Sequence, residues 1–322
     1  MKKFGVKIFV LGLLLLFSWS AIGMAADYPQ RPIRVIIPWS AGGGIDVLCR
    51  AFQPFFERVI GQKILIENIP GGSTRVGTIE LMKAKPDGYN LMFNNQEAWV
   101  GYYYSKSFDS KVWEQLVPIA NIVSVPYAFI EVRAESPYKT WADLVKAAKK
   151  NSGKLTCGGP SAGGMAEVFI DEITQASGIK VRYVPFAGGG PSKVAMLGGH
   201  VDFRYCQPSE AIEMIRAGKT RGLAVSTDKR IEAIPDVPTF KELGIWGTLI
   251  YSRSFWGPPK LPSNIVDTLA KMIEKAAKDP AFIKIAQDQL LYTMDYRPPE
   301  KTKMDMQNFD KEFGPKLAEV YK

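Results

Sequence analysis

Two glycine-rich loops carry the residues of this sequence that are best suited to hold a ligand. Residues 40–44 read Ser-Ala-Gly-Gly-Gly, and residues 158–164 read Gly-Gly-Pro-Ser-Ala-Gly-Gly. Each loop follows a short apolar run and leads into a predicted helix, so its backbone N–H groups lie at the positive end of a helix dipole, where anions bind. A single loop of this kind is also typical of a plain tight turn. Because two occur in corresponding places, we predict a site for a carboxylate or a phosphate.

The composition argues against several kinds of enzyme. The chain contains one histidine, His200, and three cysteines, Cys49, Cys157 and Cys206. Neither a CxxC pair nor an HExxH run occurs, so a metal site or a Ser-His-Asp triad would have to be built around His200 alone. We expect His200 on the surface, the three distant cysteines unpaired, and neither a metal nor a cofactor.

The spacing of the residues argues against a nucleotide site and against a nucleophile elbow. The first loop does not complete GxGxxG with an acidic residue after a second strand, and no GxxxxGK[ST] occurs. Ser161 does not stand in a GxSxG motif. A secreted hydrolase or isomerase using Ser161 or Asp46 therefore stays only as an alternative, and it lacks a nearby base.

The first 26 residues have the features of an export signal. Three lysines among the first seven residues precede an apolar run over residues 8–19, and small residues end the segment at Ala26. Cleavage would remove three of the 41 basic residues and none of the 32 acidic ones, so the net charge of +9 becomes +6. We predict a chain that is soluble in the periplasm after cleavage. The remaining lysines are scattered, which argues against nucleic-acid binding.

Apolar runs bounded by glycine and proline alternate with helical periodicity along the rest of the chain. The predicted strands cover residues 33–38, 63–67, 89–94, 154–157, 181–184, 201–205 and 222–226, with a long β-branched stretch at 117–132. The predicted helices cover residues 46–60, 78–85, 141–150, 165–177, 192–197, 264–278, 280–289 and 302–321. This order predicts two α/β halves, each with a mostly parallel sheet, followed by a helical C-terminal segment.

Eight blocks of the sequence, in order, resemble one family. They are YPQRPIRVIIPWSAGGGIDVLCR (28–50), ENIPGGSTRVGT (67–78), KPDGYNLMF (85–93), NSGKLTCGGPSAGG (151–164), VRYVPFAGGGPSKVAMLGGHVDF (181–203), IRAGKTRGLAVSTDKR (215–230), IPDVPTFKELG (234–244) and FWGPPKLPSNIVDTL (255–269). The chain resembles the Bug-type receptors, the periplasmic solute-binding proteins of tripartite tricarboxylate transporters.

The resemblance implies an α/β, two-domain Venus-flytrap fold. One domain would comprise residues 27–126 and 250–322, and the other residues 127–249, with hinges at 125–131 and 248–255. Such a receptor captures a small organic acid, closes around it and hands it to membrane permease subunits. We expect a non-enzymatic monomer.

The resemblance also implies where the ligand binds. Backbone amides of residues 39–43 would hold one carboxylate, facing the loop 158–163. Where the family often has an acid that meets an amino-acid ammonium group, this chain has Arg204-Tyr205-Cys206, and a cation there would favour a second carboxylate. The predicted contacts are Trp39, Ser40, Ala41, Gly42, Gly43, Asp46, Asn95, Gln96, Gly159, Pro160, Ser161, Gly163, Phe186, Gly188, Arg204, Tyr205 and Cys206.

The identity of the acid stays open at this point. Arg75 is a second candidate cation, and Trp39, Trp99, Phe186 and Tyr205 could form an aromatic wall. The sequence therefore allows a monocarboxylate or a dicarboxylate, aromatic acids included. The alternative hypothesis is that the protein reports the acid to the sensor kinase of a two-component system.

Overall fold

The computed structural model describes residues 28–126, 128–227, 229–245 and 250–322, and its strands form two sheets. The six-stranded sheet has the order β11-β4-β10-β3-β1-β2, and the five-stranded sheet has the order β7-β6-β8-β5-β9. The strands are β1 (Ile33–Ile37), β2 (Ile64–Asn68), β3 (Asn90–Asn94), β4 (Val117–Pro126), β5 (Phe129–Arg133), β6 (Thr156–Pro160), β7 (Arg182–Phe186), β8 (Phe203–Cys206), β9 (Thr220–Val225), β10 (Ile250–Gly257) and β11 (Thr293–Arg297). The predicted export signal lies outside the described residues.

Helices follow most of the strands and cover the sheets. They are α1 (Gly44–Ile60), α2 (Arg75–Met82), α3 (Glu97–Tyr104), α4 (Trp141–Lys150), α5 (Met165–Ala176), α6 (Gly189–Leu197), α7 (Pro208–Arg216), α8 (Ser263–Ala277), α9 (Pro280–Lys284) and α10 (Pro299–Val320). A 3-10 turn spans Val112–Glu114, and a π-helical segment spans Ile285–Gln289. Within the described part of the chain, no helix combines the length and apolar character needed to span a membrane.

The chain crosses between the sheets twice, from β4 to β5 and from β9 to β10. Both sheets are mixed, so the prediction of mostly parallel sheets is wrong. Strand β1 pairs in parallel with β2 and β3, and β6 pairs in parallel with β7 and β8, but β4, β5 and β10 pair antiparallel with their neighbours. The antiparallel pairs involve the strands on either side of each crossing, where the chain leaves one sheet and returns to it.

Two of the differences from the prediction lie at the first crossing and at the second glycine loop. The apolar residues 117–132 form two strands, β4 and β5, one in each sheet. The predicted loop 158–164 begins later, because Gly158, Gly159 and Pro160 complete β6. A Cβ on Gly159 would lie 2.3 Å from the hydroxyl of Tyr183, so this glycine allows a side chain to pack directly on the strand.

The core of the six-stranded sheet positions the first glycine loop. Ile36 and Ile37 of β1 are fully buried, and the aromatic rings of Phe52, Phe56 and Phe255 pack together between α1 and β10. This packing fixes α1 against the sheet, so the loop before α1 is held at the carboxyl end of β1. Ligands bind at such ends in open α/β sheets.

Candidate ligand-binding site

A cavity of about 60 Å³ lies between the two sheets, where five helices begin. Its wall includes the first turns of α1, α3, α5 and α6, through Gly44, Ala98, Met165 and Gly189, and the N-cap of α7, Gln207. The first amides of a helix have no acceptor within the helix, and the helix dipole adds positive charge at that end. The convergence of helix starts makes the cavity suited to an anionic group.

The first glycine loop is held by Asp46, which stands in the first turn of α1. The Asp46 carboxylate accepts hydrogen bonds from the Gly42 amide at 2.9 Å, from Arg50 Nε at 2.9 Å and from Asn68 Nδ2 at 3.0 Å. Burial raises the pKa of this carboxyl, but these bonds and the charge of Arg50 outweigh burial and lower its pKa below the usual range. Asp46 is thus an ionised group that shapes the loop, with its oxygens already bonded.

The second loop is held in a similar way by residues of α5 and β7. The Gly163 amide donates to Glu167 Oε2 at 2.8 Å, and the Ser161 amide donates to the Phe186 carbonyl at 2.7 Å. The Ser161 hydroxyl bonds to Tyr102, whose pKa is raised because the phenol is buried. Ser161 thus joins the second loop to α3, the helix that contains Tyr102.

The cavity has a largely apolar wall. Trp39, Tyr102, Tyr205 and Tyr251 contribute aromatic surface, and Trp39 Nε1 donates to Asn94 Oδ1 at 2.8 Å. Trp99, which the sequence also suggested for this wall, is instead part of the core. It is fully buried, donates to Thr78 and meets Trp256 edge to face.

Arg204 lies behind the cavity wall in a buried network of charges. Its Nε donates to Glu131 Oε2 at 2.6 Å, and its Nη1 donates to the Gly189 carbonyl at 3.1 Å and to Glu210 Oε2 at 3.3 Å. Burial lowers the pKa of Arg204, but its acidic neighbours, Glu131 and Glu210 among them, outweigh burial and raise it. Arg204 is a cation whose charge is matched within the protein, which differs from the free cation that the sequence suggested.

The charge of the other candidate cation, Arg75, is also paired within the protein. Arg75 donates to the Ser107 carbonyl at 3.0 Å and to Asp109 at 2.7 Å, and its side chain is 41% exposed. Because its partners lie on the loop after α3, it ties α2 to that loop.

Hydrogen bonds cross the cavity and join the two sheets. The Ser40 amide and hydroxyl both reach the Ala187 carbonyl, at 3.3 Å and 2.7 Å. The Gly44 amide donates to Glu210 Oε1 at 3.1 Å. Tyr292, on the same side as Gly44, donates to the Gly44 carbonyl at 3.1 Å, and its Oη lies 2.9 Å from Ser209 Oγ across the cleft. The cleft is closed in this structure.

Some predicted contacts line this cavity and others lie around it. Of the described residues, those predicted from sequence that line it are Trp39, Gly43, Asn95, Pro160, Tyr205 and Cys206. Predicted residues that shape the surroundings without lining it are Ser40, Ala41, Gly42, Asp46, Gln96, Gly159, Ser161, Gly163, Phe186, Gly188 and Arg204. Contact of either group with a ligand stays a prediction.

The most important residues that the sequence analysis missed are Gln207 and Glu210. Both line the cavity, and both belong to the start of α7, which was not predicted. A signal was present, because Pro208 stands at the first helical position and Glu210 follows in the first turn. The other wall residues that were not predicted are Gly44, Ile45, Ala98, Tyr102, Gly164, Met165, Ala166, Gly189 and Tyr251.

The histidine and the cysteines lie as expected. His200 is exposed in the turn before β8, and its amide donates to the Ala195 carbonyl. All three cysteines are buried and free. Among the described residues, neither the exposed histidine nor a disulfide contributes to the cavity wall, which contains aromatic rings, amides and the Glu210 carboxyl group.

A two-sheet α/β fold with helix starts around a closed cleft defines a periplasmic binding protein. The profile of the tripartite tricarboxylate transporter family receptor, TctC, matches residues 48–312. The chain belongs to this family of non-enzymatic solute-binding receptors, which confirms the resemblance and the fold class and sets aside the hydrolase alternative.

Relatives and solved structures agree with this assignment. A UPF0065 protein from the TAR-I ttuE-ttuC' intergenic region of Agrobacterium vitis is 30% identical over 267 residues, which are 82% of this chain and 76% of that protein. The structure of the periplasmic binding protein BugD has 26% identity and a TM-score of 0.81, covering 91% of this chain and 97% of its own. MatC from Rhodopseudomonas palustris, solved with bound malate, has the same fold, with 21% identity and a TM-score of 0.80 over 92% of this chain and 100% of its own.

Proposed function

We propose that this receptor captures a small aliphatic carboxylate in the periplasm and delivers it to the membrane permease subunits of a tripartite tricarboxylate transporter. The observation that carries the proposal is the convergence of five helix starts on one cavity. Charge-assisted hydrogen bonds from backbone amides to a carboxylate are strong, and amides lose no side-chain freedom when they bind. MatC, a solved protein of the same fold, holds malate.

The size of the cavity supports a small ligand. Its volume of about 60 Å³ is well below the roughly 150 Å³ of an apolar cavity that holds benzene. A short aliphatic acid therefore fits the closed cleft better than an aromatic acid does. The aromatic residues of the wall would then pack on the carbon chain of the acid.

Calorimetry on residues 27–322, refolded to remove any bound ligand, tests the capture step. The panel contains short mono- and dicarboxylates, their amides and amino acids, with uncharged alcohols of the same length as the comparison. We expect saturable binding of at least one acid, without chemical turnover, and none of the alcohols. No binding by any acid, or conversion of a bound acid, would contradict the proposal.

A substitution in the cavity wall tests whether the ligand binds in this cavity. Ala98 is buried in the wall, so Ala98→Leu should fill the cavity and abolish binding, while Ala142→Leu, at an exposed position of α4, should leave binding unchanged. Thermal unfolding of both variants shows whether the fold survives the added side chain. Binding that persists in a folded Ala98→Leu protein would move the site elsewhere.

The delivery step needs a test in cells. Deletion of the gene should abolish uptake of the acid found by calorimetry, and the wild-type gene should restore it. If uptake is unchanged but transcription in response to the acid is lost, the recipient is a sensor kinase instead.

A further inference from the structure

Two acidic side chains and one arginine form a buried cluster next to the cavity. Arg204 is fully buried between two carboxylates, Glu131 and Glu210, and contacts both. The two carboxyl groups therefore share one guanidinium partner, and the Lys193 ammonium donates to the main-chain carbonyl of Glu210 at 3.5 Å. Of the two, Glu210 lines the cavity, and its side chain is 9% exposed.

Glu210 also occupies part of the predicted anion site. Its Oε1 accepts the Gly44 amide, the first amide of α1, at 3.1 Å. A Cβ on Gly189 would lie 2.1 Å from Glu210 Oε2, so the same carboxylate also lies against the start of α6. Two of the five helix starts therefore already face a carboxylate of the protein. A ligand with two carboxylates would place its second charge close to Glu210 in a buried site, where like charges repel strongly.

An unpaired acceptor lies beside Glu210. Gln207 is 92% buried, at 8% relative exposure, and its Oε1 has no hydrogen-bond partner among the described residues. It lines the cavity, 2.7 Å from the position that a Cβ on Gly44 would take. A buried acceptor without a donor destabilises a protein, so a ligand that supplies a donor gains affinity here.

We infer that Glu210 and Gln207 make this receptor select small carboxylates that carry an ammonium, amide or hydroxyl donor, and reject plain dicarboxylates. The inference rests on the proposed function, since it assumes that the cavity binds an acid. It reverses the preference that the sequence suggested through Arg204. Glu210 is the residue that sets the charge of the ligand's second end, and Gln207 adds an acceptor for its donor.

Four ligands with the same carbon count test the inference. They are succinate, with a second carboxylate, succinamate, with a neutral amide, 4-aminobutyrate, with an ammonium group, and butyrate, with no second polar group. By calorimetry at pH 7.5 we expect succinamate or 4-aminobutyrate to bind the wild type about tenfold or more tightly than succinate, since one close charge interaction is worth at least that factor.

The variant Glu210→Gln keeps the size of the side chain and removes its charge. It should bind succinate about tenfold more tightly and 4-aminobutyrate about tenfold more weakly than the wild type. Glu213→Gln, at an exposed position of the same helix, is the matched control and should leave all four affinities unchanged. Gln207→Leu should weaken succinamate and 4-aminobutyrate while leaving butyrate nearly unchanged. Thermal unfolding confirms that each variant is folded.

Two results would overturn the inference while leaving the proposed function intact. One is a wild type that binds succinate as tightly as the donor-bearing acids. The other is a Glu210→Gln variant that changes all four affinities by the same factor, which would mean that Glu210 only competes with the ligand for the start of α1. If no acid binds at all, the proposed function itself fails.

Discussion

Burial decides the chemistry of the three cysteines. Cys49, Cys157 and Cys206 lie in separate parts of the core, and all three are free thiols. Burial raises the pKa of each thiol, because the thiolate is poorly solvated inside the protein. Thiol chemistry needs the thiolate, so these residues are inert packing groups in the folded protein.

Because the thiols are buried, we predict that the native protein does not react with Ellman's reagent at pH 8. In urea, all three thiols should react, and reduction should leave the mass of the protein unchanged. Ala142→Cys, at an exposed position, is the positive control and should react at once in the native state. A wild-type thiol that reacts within minutes in the native protein would show that its burial is incomplete.

The charge partners of Arg204 cannot be predicted from single residues. Strand alternation predicts that Arg204 and Cys206 share a face, and both side chains do contact Glu131. The charge of the site nevertheless depends on Glu131, opposite Arg204 in the strand register, and on Glu210, six residues further along. Neither partner can be assigned from the sequence before the pairing of β5 with β8 and the start of α7 are known.

At the scale of elements, one carboxylate joins the glycine loop, α1 and β2. Asp46 on α1 accepts from Gly42 in the loop and from Asn68 at the end of β2. Asn68 also donates to the Trp39 carbonyl at 3.0 Å. The loop therefore keeps its shape through an ionised side chain rather than through glycine alone.

We predict that Asp46→Asn lowers the free energy of unfolding at pH 7 by about 1–3 kcal/mol, because a charged acceptor of three hydrogen bonds is lost. The folded-state pKa of Asp46 lies below its unfolded value of 3.8, so its contribution is complete above that pH and is lost as the pH falls through the folded pKa. The gap between variant and wild type should therefore close as the pH falls below about 4.

Urea denaturation at pH 7 and at pH 3 measures this difference. Asp267→Asn, at an exposed position of α8, is the control and should change stability by about 0.5 kcal/mol or less. A gap between Asp46→Asn and wild type that persists unchanged at pH 3 would show that the charge of Asp46 does not carry its contribution.

The elements that could be predicted from sequence are those with a clear period and clear ends. Helix α4 was predicted with the bounds observed, and it has a capping box between Thr140 and Asp143. Helix α3 was missed because its residues are buried on nearly every side, so no polar face marks a helical period. Strand β11 was missed because it is a short, half-buried edge strand that contains Asp295 and Arg297.

At the scale of the whole molecule, the two sheets are joined by hydrogen bonds across the cleft and by a continuous apolar core. Besides the bonds from Ser40 and Gly44 and the contact of Tyr292 with Ser209, the Ser73 hydroxyl donates to the Ala162 carbonyl at 3.1 Å. The boundaries of the two domains and the hinges at 125–131 and 248–255 stay predictions, and residues 127 and 246–249 lie outside the described ranges.

Gly190 offers a test of closure that leaves the site chemistry untouched. A Cβ on Gly190 would lie 2.5 Å from the Ala41 carbonyl across the cleft, closer than real Cβ contacts come, and the obstructing atom is backbone. Alanine is also a better helix former than glycine at this position in the first turn of α6. Gly190→Ala should therefore block the closed form without destabilising the open form.

We expect ligand to contract the wild-type protein, measured as a smaller radius of gyration by X-ray scattering, and to leave Gly190→Ala extended. The affinity of the variant should fall about tenfold or more, since a ligand that gains contacts only on closure binds weakly to a protein that cannot close. Val194→Ala, on the exposed face of the same helix, should contract and bind as the wild type does. If Gly190→Ala contracts and binds normally, the approach of α6 to the first glycine loop is not required for binding, and recognition takes place within one half of the cleft.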